Sequence, residues 1–184
     1  MKRGVFLDRD GTLIEEVGYL DRIDRVRFFP YSVDAVRLLN RAGFAVIVAT
    51  NQAGVARGFF DEAFVEATHR SLSDTLEAGG AHVEGFYFCP HHPEAGVGAY
   101  RQACDCRKPR PGLLRRAAEE HEIDLRQSFV VGDRAHDIAA GNTVGAPGVL
   151  VRTGYGARVE QSEHSAAAVT DNLMGAVAWI LRRS

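Results

Sequence analysis

Cysteine is scarce in this chain of 184 residues: there are three, an odd number, and all lie between positions 89 and 106. That excludes the paired-disulfide framework that staples small secreted domains. A long apolar run is missing as well. Met1-Lys2-Arg3 leads into Gly4-Val5-Phe6-Leu7, which stops at Asp8, far short of a signal-peptide core or of the ~20 residues that cross a bilayer. An excess of one charge is also lacking. The net charge is −2, and the 22 basic and 24 acidic residues are mixed along the whole length, so there is no basic stripe for a nucleic acid. No internal repeat, low-complexity tract or linker interrupts the chain. These exclusions leave a cytoplasmic, globular protein with no membrane or nucleic-acid partner. It is expected to be monomeric and to form a single domain over residues 1–184, which is long enough to bury one sizeable core.

What is present is an alternation of strand and helix signals. Residues 3–8 form a short apolar run ending on a carboxylate. Ser32 is placed to cap a helix carrying Val33, Val36, Leu38 and Leu39, which Gly43 stops. The run FAVIVAT at 44–50 is β-branched and apolar, as in strands buried on both faces. Asp61 caps a longer helix ending at Gly79-Gly80, and residues 83–88 form a third strand. Pro111 suits the first turn of a helix running to about Glu122. A strand at 128–132, a helix at 135–142, a strand at 148–151 and a last helix from about Asp171 complete the pattern. The reading is an α/β fold, a doubly wound parallel sheet with helices on both faces. Ligands in such folds bind beyond the carboxyl ends of the strands, where Asp8, Thr50 and Asp133 fall.

Asp8-Arg9-Asp10-Gly11-Thr12 places two carboxylates one residue apart directly after a strand, with a glycine for the turn. Thr50-Asn51-Gln52 follows the second strand with a hydroxyl and two amides, Arg107-Lys108-Pro109 supplies cations, and Gly132-Asp133-Arg134-Ala135-His136-Asp137 follows the fourth strand. Each alone has a plain structural reading as a turn, a cap or a solvated charge; their joint order does not. A phosphate monoester dianion repels a carboxylate nucleophile, so cations must offset the charge and hold it in line. An aspartate at its ordinary pKa of about 3.9 is already ionised and needs no activating base. The cysteines form a second constellation, Cys89-Pro90-His91-His92-Pro93 followed by Cys104-Asp105-Cys106. Three thiolates and one imidazole make a closed tetrahedral Zn²⁺ site, and the spacing leaves His91 and His92 as alternatives. Free buried thiols or a Cys104–Cys106 disulfide would not explain why every cysteine lies in one stretch.

Taken together, the motifs from Asp8 to Asp137 resemble the haloacid dehalogenase (HAD) superfamily. CPHHP followed by CDCRKP is similar to its branch of histidinol-phosphate and heptose-bisphosphate phosphatases. The resemblance implies a Rossmann-like core, with Asp8 as nucleophile, Asp10 as general acid and base, and Thr50 and Lys108 on the phosphoryl oxygens. It further implies a catalytic Mg²⁺ held by Asp8, the Asp10 carbonyl and Asp133, with Asp137 supporting the metal from behind. For the structural Zn²⁺ loop at 89–106 it selects Cys89, His91, Cys104 and Cys106. Too few residues separate the motifs for a large cap domain, so residues 12–30 and the zinc loop are expected to roof an open site. The substrate class is a phosphorylated sugar. TNQAGVARG and CRKPRPG favour the heptose-bisphosphate members, with Asn51, Gln52, Arg57, Arg107, Arg110 and Arg134 as candidate substrate contacts. A histidinol-phosphate phosphatase is the alternative. A non-enzymatic, zinc-stabilised interaction module would need a missing catalytic group, and none is missing.

Overall fold

The structure is a computed structural model, described here for residues 1–162 and 164–183. Six strands form one parallel sheet: β1 (Lys2–Leu7), β2 (Phe44–Asn51), β3 (Gly85–Cys89), β4 (Ile123–Gly132), β5 (Gly148–Val151) and β6 (Ala168–Thr170). Their order is β3-β2-β1-β4-β5-β6. The chain winds outward in one direction from β1 to β3, then crosses back to β4 and winds the other way. The crevice where the order reverses therefore opens between the carboxyl ends of β1 and β4.

Alternation along the strands sends side chains into two separate cores. Val5, Leu7, Val46, Val48, Val131 and Val149 face one side. There they meet Val36 and Leu39 of α1 (Ser32–Arg41), Leu72 and Leu76 of α2 (Glu62–Ala78), and Val177 and Ile180 of α6 (Leu173–Leu181). Phe6, Ala45, Ile47, Ala49 and Val130 face the other side, against Leu113, Leu114 and Ala117 of α3 (Gly112–Glu120) and Ala140 of α4 (Ala135–Thr143). Helices on both faces explain why FAVIVAT carries no polar residue to face water. A one-turn α5 (Gly156–Val159) follows β5.

Two expectations need correction. Ser32 does not cap α1: its buried hydroxyl donates to the Leu13 carbonyl at 2.6 Å instead, tying the helix to the segment after β1. The strand expected at 128–132 starts earlier, at Ile123, with α3 ending at Glu120. A register shift against β1 between Arg3 and Val5 lies between the two parts of β4, and Ser128 fills it, accepting from Gly4 N and donating to Asp124 O. Strand β6 was not expected. Its three residues are all half-buried and carry no apolar run. Among the described residues there is no large cap domain. Among the described residues no helix is long and apolar enough to cross a membrane.

Candidate active site

The sheet delivers the catalytic candidates one strand end at a time. Asp8 extends the β1 ladder, its N–H donating to Val131 O at 2.9 Å. The chain then turns back, with Leu13 and Ile14 N–H both reaching the Arg9 carbonyl. Gly11 makes that turn at φ +79°, where a Cβ would sit 2.3 Å from an oxygen of Asp133, so both conformation and space demand glycine. Asp133, at the end of β4, is fully buried. Its Oδ2 accepts from Tyr155 N at 2.8 Å, while its Oδ1 has no hydrogen-bond partner.

Lys108 comes to this pair from behind and is 3% exposed. Its Nζ donates to Asp8 Oδ1 (2.8 Å) and Ala49 O (2.6 Å) and forms an ion pair with Asp137 Oδ1 at 2.6 Å. Asn51 clamps the lysine backbone in both directions, accepting from Lys108 N (3.0 Å) and donating to Lys108 O (3.1 Å). Asp137 uses its other oxygen to receive Arg134 N at the start of α4.

Three buried carboxylates around one ammonium leave the charge unbalanced. Asp8 does not keep the ordinary carboxylate value expected from the sequence: burial, with Asp137 and Asp10 adding to it against the pull of Lys108, pushes it up to about 7. Burial and the neighbouring Asp8 and Asp137 push Asp133 up to about 8. Burial also works against the Lys108 charge, yet Asp137 and Asp8 outweigh it and hold the ammonium above the usual lysine range. Carboxylate oxygens of Asp8, Asp133 and Asp137 lie within 4.8 Å of one another. With the orphaned Asp133 Oδ1, this set of hard oxygens fits a small divalent cation.

The cleft above holds about 280 Å³ and is lined by Asp8, Asp10 and Thr50 on its floor and by Arg57, Arg107 and Arg134 around it. Residues 16–20 roof one side, where Tyr19 packs edge-on against Phe59 with ring centroids 4.6 Å apart. Arg134 lies flat over the Tyr155 ring at 3.5 Å and faces Glu16 at 3.7 Å. Arg107 donates to the His91 carbonyl at 3.1 Å, which ties a cleft cation to the cysteine loop. Arg110 is not brought to the cleft; it is exposed and pairs with Asp105 and the Cys104 carbonyl. Gln52 lines the cleft, but both ends of its amide are engaged internally with Arg9, Asp10 and Thr50.

In the loop, the donor atoms of Cys89, His91, Cys104 and Cys106 lie within 4.8 Å of one another. The three sulfurs are 3.0, 3.3 and 3.5 Å apart, and His91 Nδ1 is 3.3 Å from Cys106 Sγ. Such spacing suits the edges of one small tetrahedron of soft donors, so the loop could hold a metal ion. His92 turns away, its Nδ1 accepting from Glu94 N and Ala95 N.

A family profile described as HAD-hydrolase-like matches residues 105–176. The D-glycero-β-D-manno-heptose-1,7-bisphosphate 7-phosphatase of Escherichia coli (strain K12) is 45% identical over 152 residues, 82% of this chain and 79% of the relative. The Salmonella typhi enzyme of the same name is 42% identical over 171 residues, 92% of this chain and 90% of the relative. The chain belongs to the HAD-like phosphatases. A solved member of the family, the D,D-heptose 1,7-bisphosphate phosphatase of B. bronchiseptica complexed with magnesium and phosphate, superposes with a TM-score of 0.88 at 31% identity, covering 99% of both chains. Within this HAD-like frame several cleft residues escaped the sequence reading. Glu16, His92, His136 and Tyr155 line the cleft, and a Cβ at Gly154 would lie 2.1 Å from Asp133. Gly154 and Tyr155 did carry a signal, a glycine turn just past the end of β5. Arg9 carried none beyond its place between two aspartates.

Proposed function

We infer that this protein hydrolyses a sugar phosphate through a phosphorylated Asp8, removing the C7 phosphate of D-glycero-D-manno-heptose 1,7-bisphosphate. The observation that carries the reading is Asp8, its oxygen held 2.8 Å from Lys108 Nζ, on the floor of a cleft that Arg9, Arg57, Arg107 and Arg134 help to line. Lys108 and a bound Mg²⁺ would suffice for the transferring phosphoryl group; the surplus arginines suit a substrate with a second phosphate. The names of the relatives above support the same substrate. Asp8, the Asp10 carbonyl and Asp133 would hold Mg²⁺, with Asp137 behind them and its charge on Lys108. When bound, the cation neutralises charge on the transferring group and orients it.

The steps performed by the chain follow. A carboxylate oxygen of Asp8 attacks phosphorus in line while the bond to the sugar oxygen breaks, and the Asp10 carboxyl gives that oxygen its proton. Thr50 and Lys108 neighbour the phosphoryl oxygens. Asp10, now a carboxylate, takes a proton from water as the water oxygen attacks phosphorus. The acyl-phosphate bond breaks, releasing inorganic phosphate and restoring Asp8. A Zn²⁺ held by Cys89, His91, Cys104 and Cys106 would do no chemistry; it would fix the loop that carries Arg107. The reading treats residues 1–184 as one catalytic domain of a cytoplasmic monomer.

Phosphate release tests the substrate. Turnover of the heptose bisphosphate should exceed that of histidinol phosphate by ~100-fold or more, the scale set by a whole recognised group. A preference for histidinol phosphate would overturn the heptose reading and leave the phosphatase reading intact.

A further inference from the structure

Between the two motif aspartates stands an arginine buried as deeply as the core leucines: Arg9 is 2% exposed. A guanidinium taken out of water is tolerated only where its donors are matched. Here they are. Nε donates to Asp10 Oδ2 and Nη2 to Asp10 Oδ1, both at 3.1 Å; Nη2 also reaches Gln52 Oε1 at 3.0 Å. Nη1 lies 3.4 Å from His69 Nε2. Gln52 then donates to Asp10 Oδ2 and to Thr50 Oγ1, each at 2.9 Å.

His69 is the far anchor. It sits on α2, 6% exposed, stacked on Phe86 with ring centroids 5.0 Å apart. Burial, then the Arg9 charge, push it down to about 3, so at neutral pH the ring is uncharged and Nε2 accepts from the guanidinium. Arg9 is thus fixed by helix α2 on one side and by the end of β2 on the other, and its ion-pair partner is Asp10.

We propose that Arg9, braced by His69 and Gln52, is the positioning residue of the Asp10 carboxyl group. The proposal rests on the reading of Asp10 as proton donor and acceptor, and deepens it. Only a planar fork of five donors spans a carboxylate, an amide and an imidazole at once, which a lysine ammonium cannot do. Oδ2 of Asp10 takes donors from both Arg9 and Gln52, whereas Oδ1 takes only the Arg9 Nη2 donor among the described residues. Oδ1 is therefore the oxygen with room for the proton that passes to the leaving group. Arg9 reaches the cleft wall beside Asp10 but gives up no proton; it sets where Asp10 stands.

The test separates alignment of a proton donor from general damage. A primary alkyl phosphate needs a proton on its leaving oxygen, whereas p-nitrophenolate departs without one. Arg9→Met should lower kcat on the sugar phosphate by ~100-fold, the lower end of what a positioned acid contributes. With p-nitrophenyl phosphate it should retain a stoichiometric burst of nitrophenolate followed by slow turnover, because Asp8 can still be phosphorylated while the attacking water has lost its base. His69→Leu, which removes only the distant brace, should shift both readouts the same way by less, and it decides the matter if Arg9→Met does not fold. Equal proportional losses of alkyl turnover and of aryl burst rate, with the melting temperature preserved, would overturn the proposal, as would alkyl turnover within about twofold of the parent. Asp10→Asn is the control for the underlying reading. If it lacks the alkyl–aryl split, the role given to Asp10 fails; if it shows the split while Arg9→Met and His69→Leu do not, the Arg9 proposal alone fails.

Discussion

The carboxylate cluster and the cysteine loop sit close together and are held in opposite ways. Asp8 and Asp133 stand at the ends of adjacent, hydrogen-bonded strands, so the sheet forces like charges together whatever occupies the space between them. The loop at 89–106 has little regular structure, one short 3₁₀ turn at Gly98–Tyr100 and a few backbone bonds such as His92 N to Tyr100 O. Its shape depends on its own donor atoms converging. A ligand lost from the first site changes charge but not shape; a ligand lost from the second changes shape first.

The largest expected effect breaks the first site. Asp8→Asn should reduce phosphate release by roughly 10⁴-fold or more, since it removes the proposed nucleophile itself. It should also raise the melting temperature of metal-free protein, because it removes one of three crowded carboxylates. A phosphoenzyme mass shift on any residue other than Asp8 in the parent protein would refute the assignment. Breaking the second site should act at a distance. Cys104→Ser should lose the zinc proposed for the loop, measured by metal analysis, destabilise the loop, and cut activity by up to ~100-fold through displaced Arg107 and Lys108. Magnesium binding should survive, and zinc-free parent protein purified under reducing conditions would refute the loop's metal.

A smaller change sharpens the contrast at the junction of the two sites. Arg107→Ala should lower kcat/KM for the bisphosphate by ~10-fold, the scale of a charge-assisted hydrogen bond, and leave a monophosphate of the same sugar nearly unaffected. Equal losses on both substrates would place Arg107 at the transferring phosphate.

The smallest effect is on pH. Folding raises Asp8 and Asp133 from 3.8 to about 7 and 8, so between those limits the folded chain binds more protons than the unfolded one. The stability this pair allows is complete below pH 3.8 and is lost as pH rises through 7 to 8. The melting temperature of metal-free protein should fall by about 5 °C over that upper window, and the increment from added Mg²⁺ should grow across it. An increment independent of pH would show that these carboxylates do not hold the ion.

The features legible in sequence were those written locally. FAVIVAT, the Asp61 cap, the aspartates at strand ends and the clustered cysteines all fall where a few residues of sequence place them. What was not legible depends on partners far along the chain. Ser32 has the residue type of a cap, but Leu13 claims its hydroxyl. Gln52 and Asn51 line the cleft as expected of ligand contacts, but their bonds to Arg9 and Asp10 and to the Lys108 backbone were not readable. Arg110 differs from Arg107 by three positions and an unreadable change of direction. Strand β6 exists because β5 offers it an edge, not because its own three residues insist on it.

The clasp on Asp133 has a consequence in time. Thr153 donates to the Gly11 carbonyl across 142 residues of sequence, and the next two residues close over Asp133. A growing chain presents Asp8 well before the turn after β5 but cannot finish the pocket around it until that turn has emerged. Contacts of such long sequence separation form late. The pocket around Asp8 is therefore completed in one step, when the turn after β5 docks, and a chain without that turn holds Asp8 in an unfinished site.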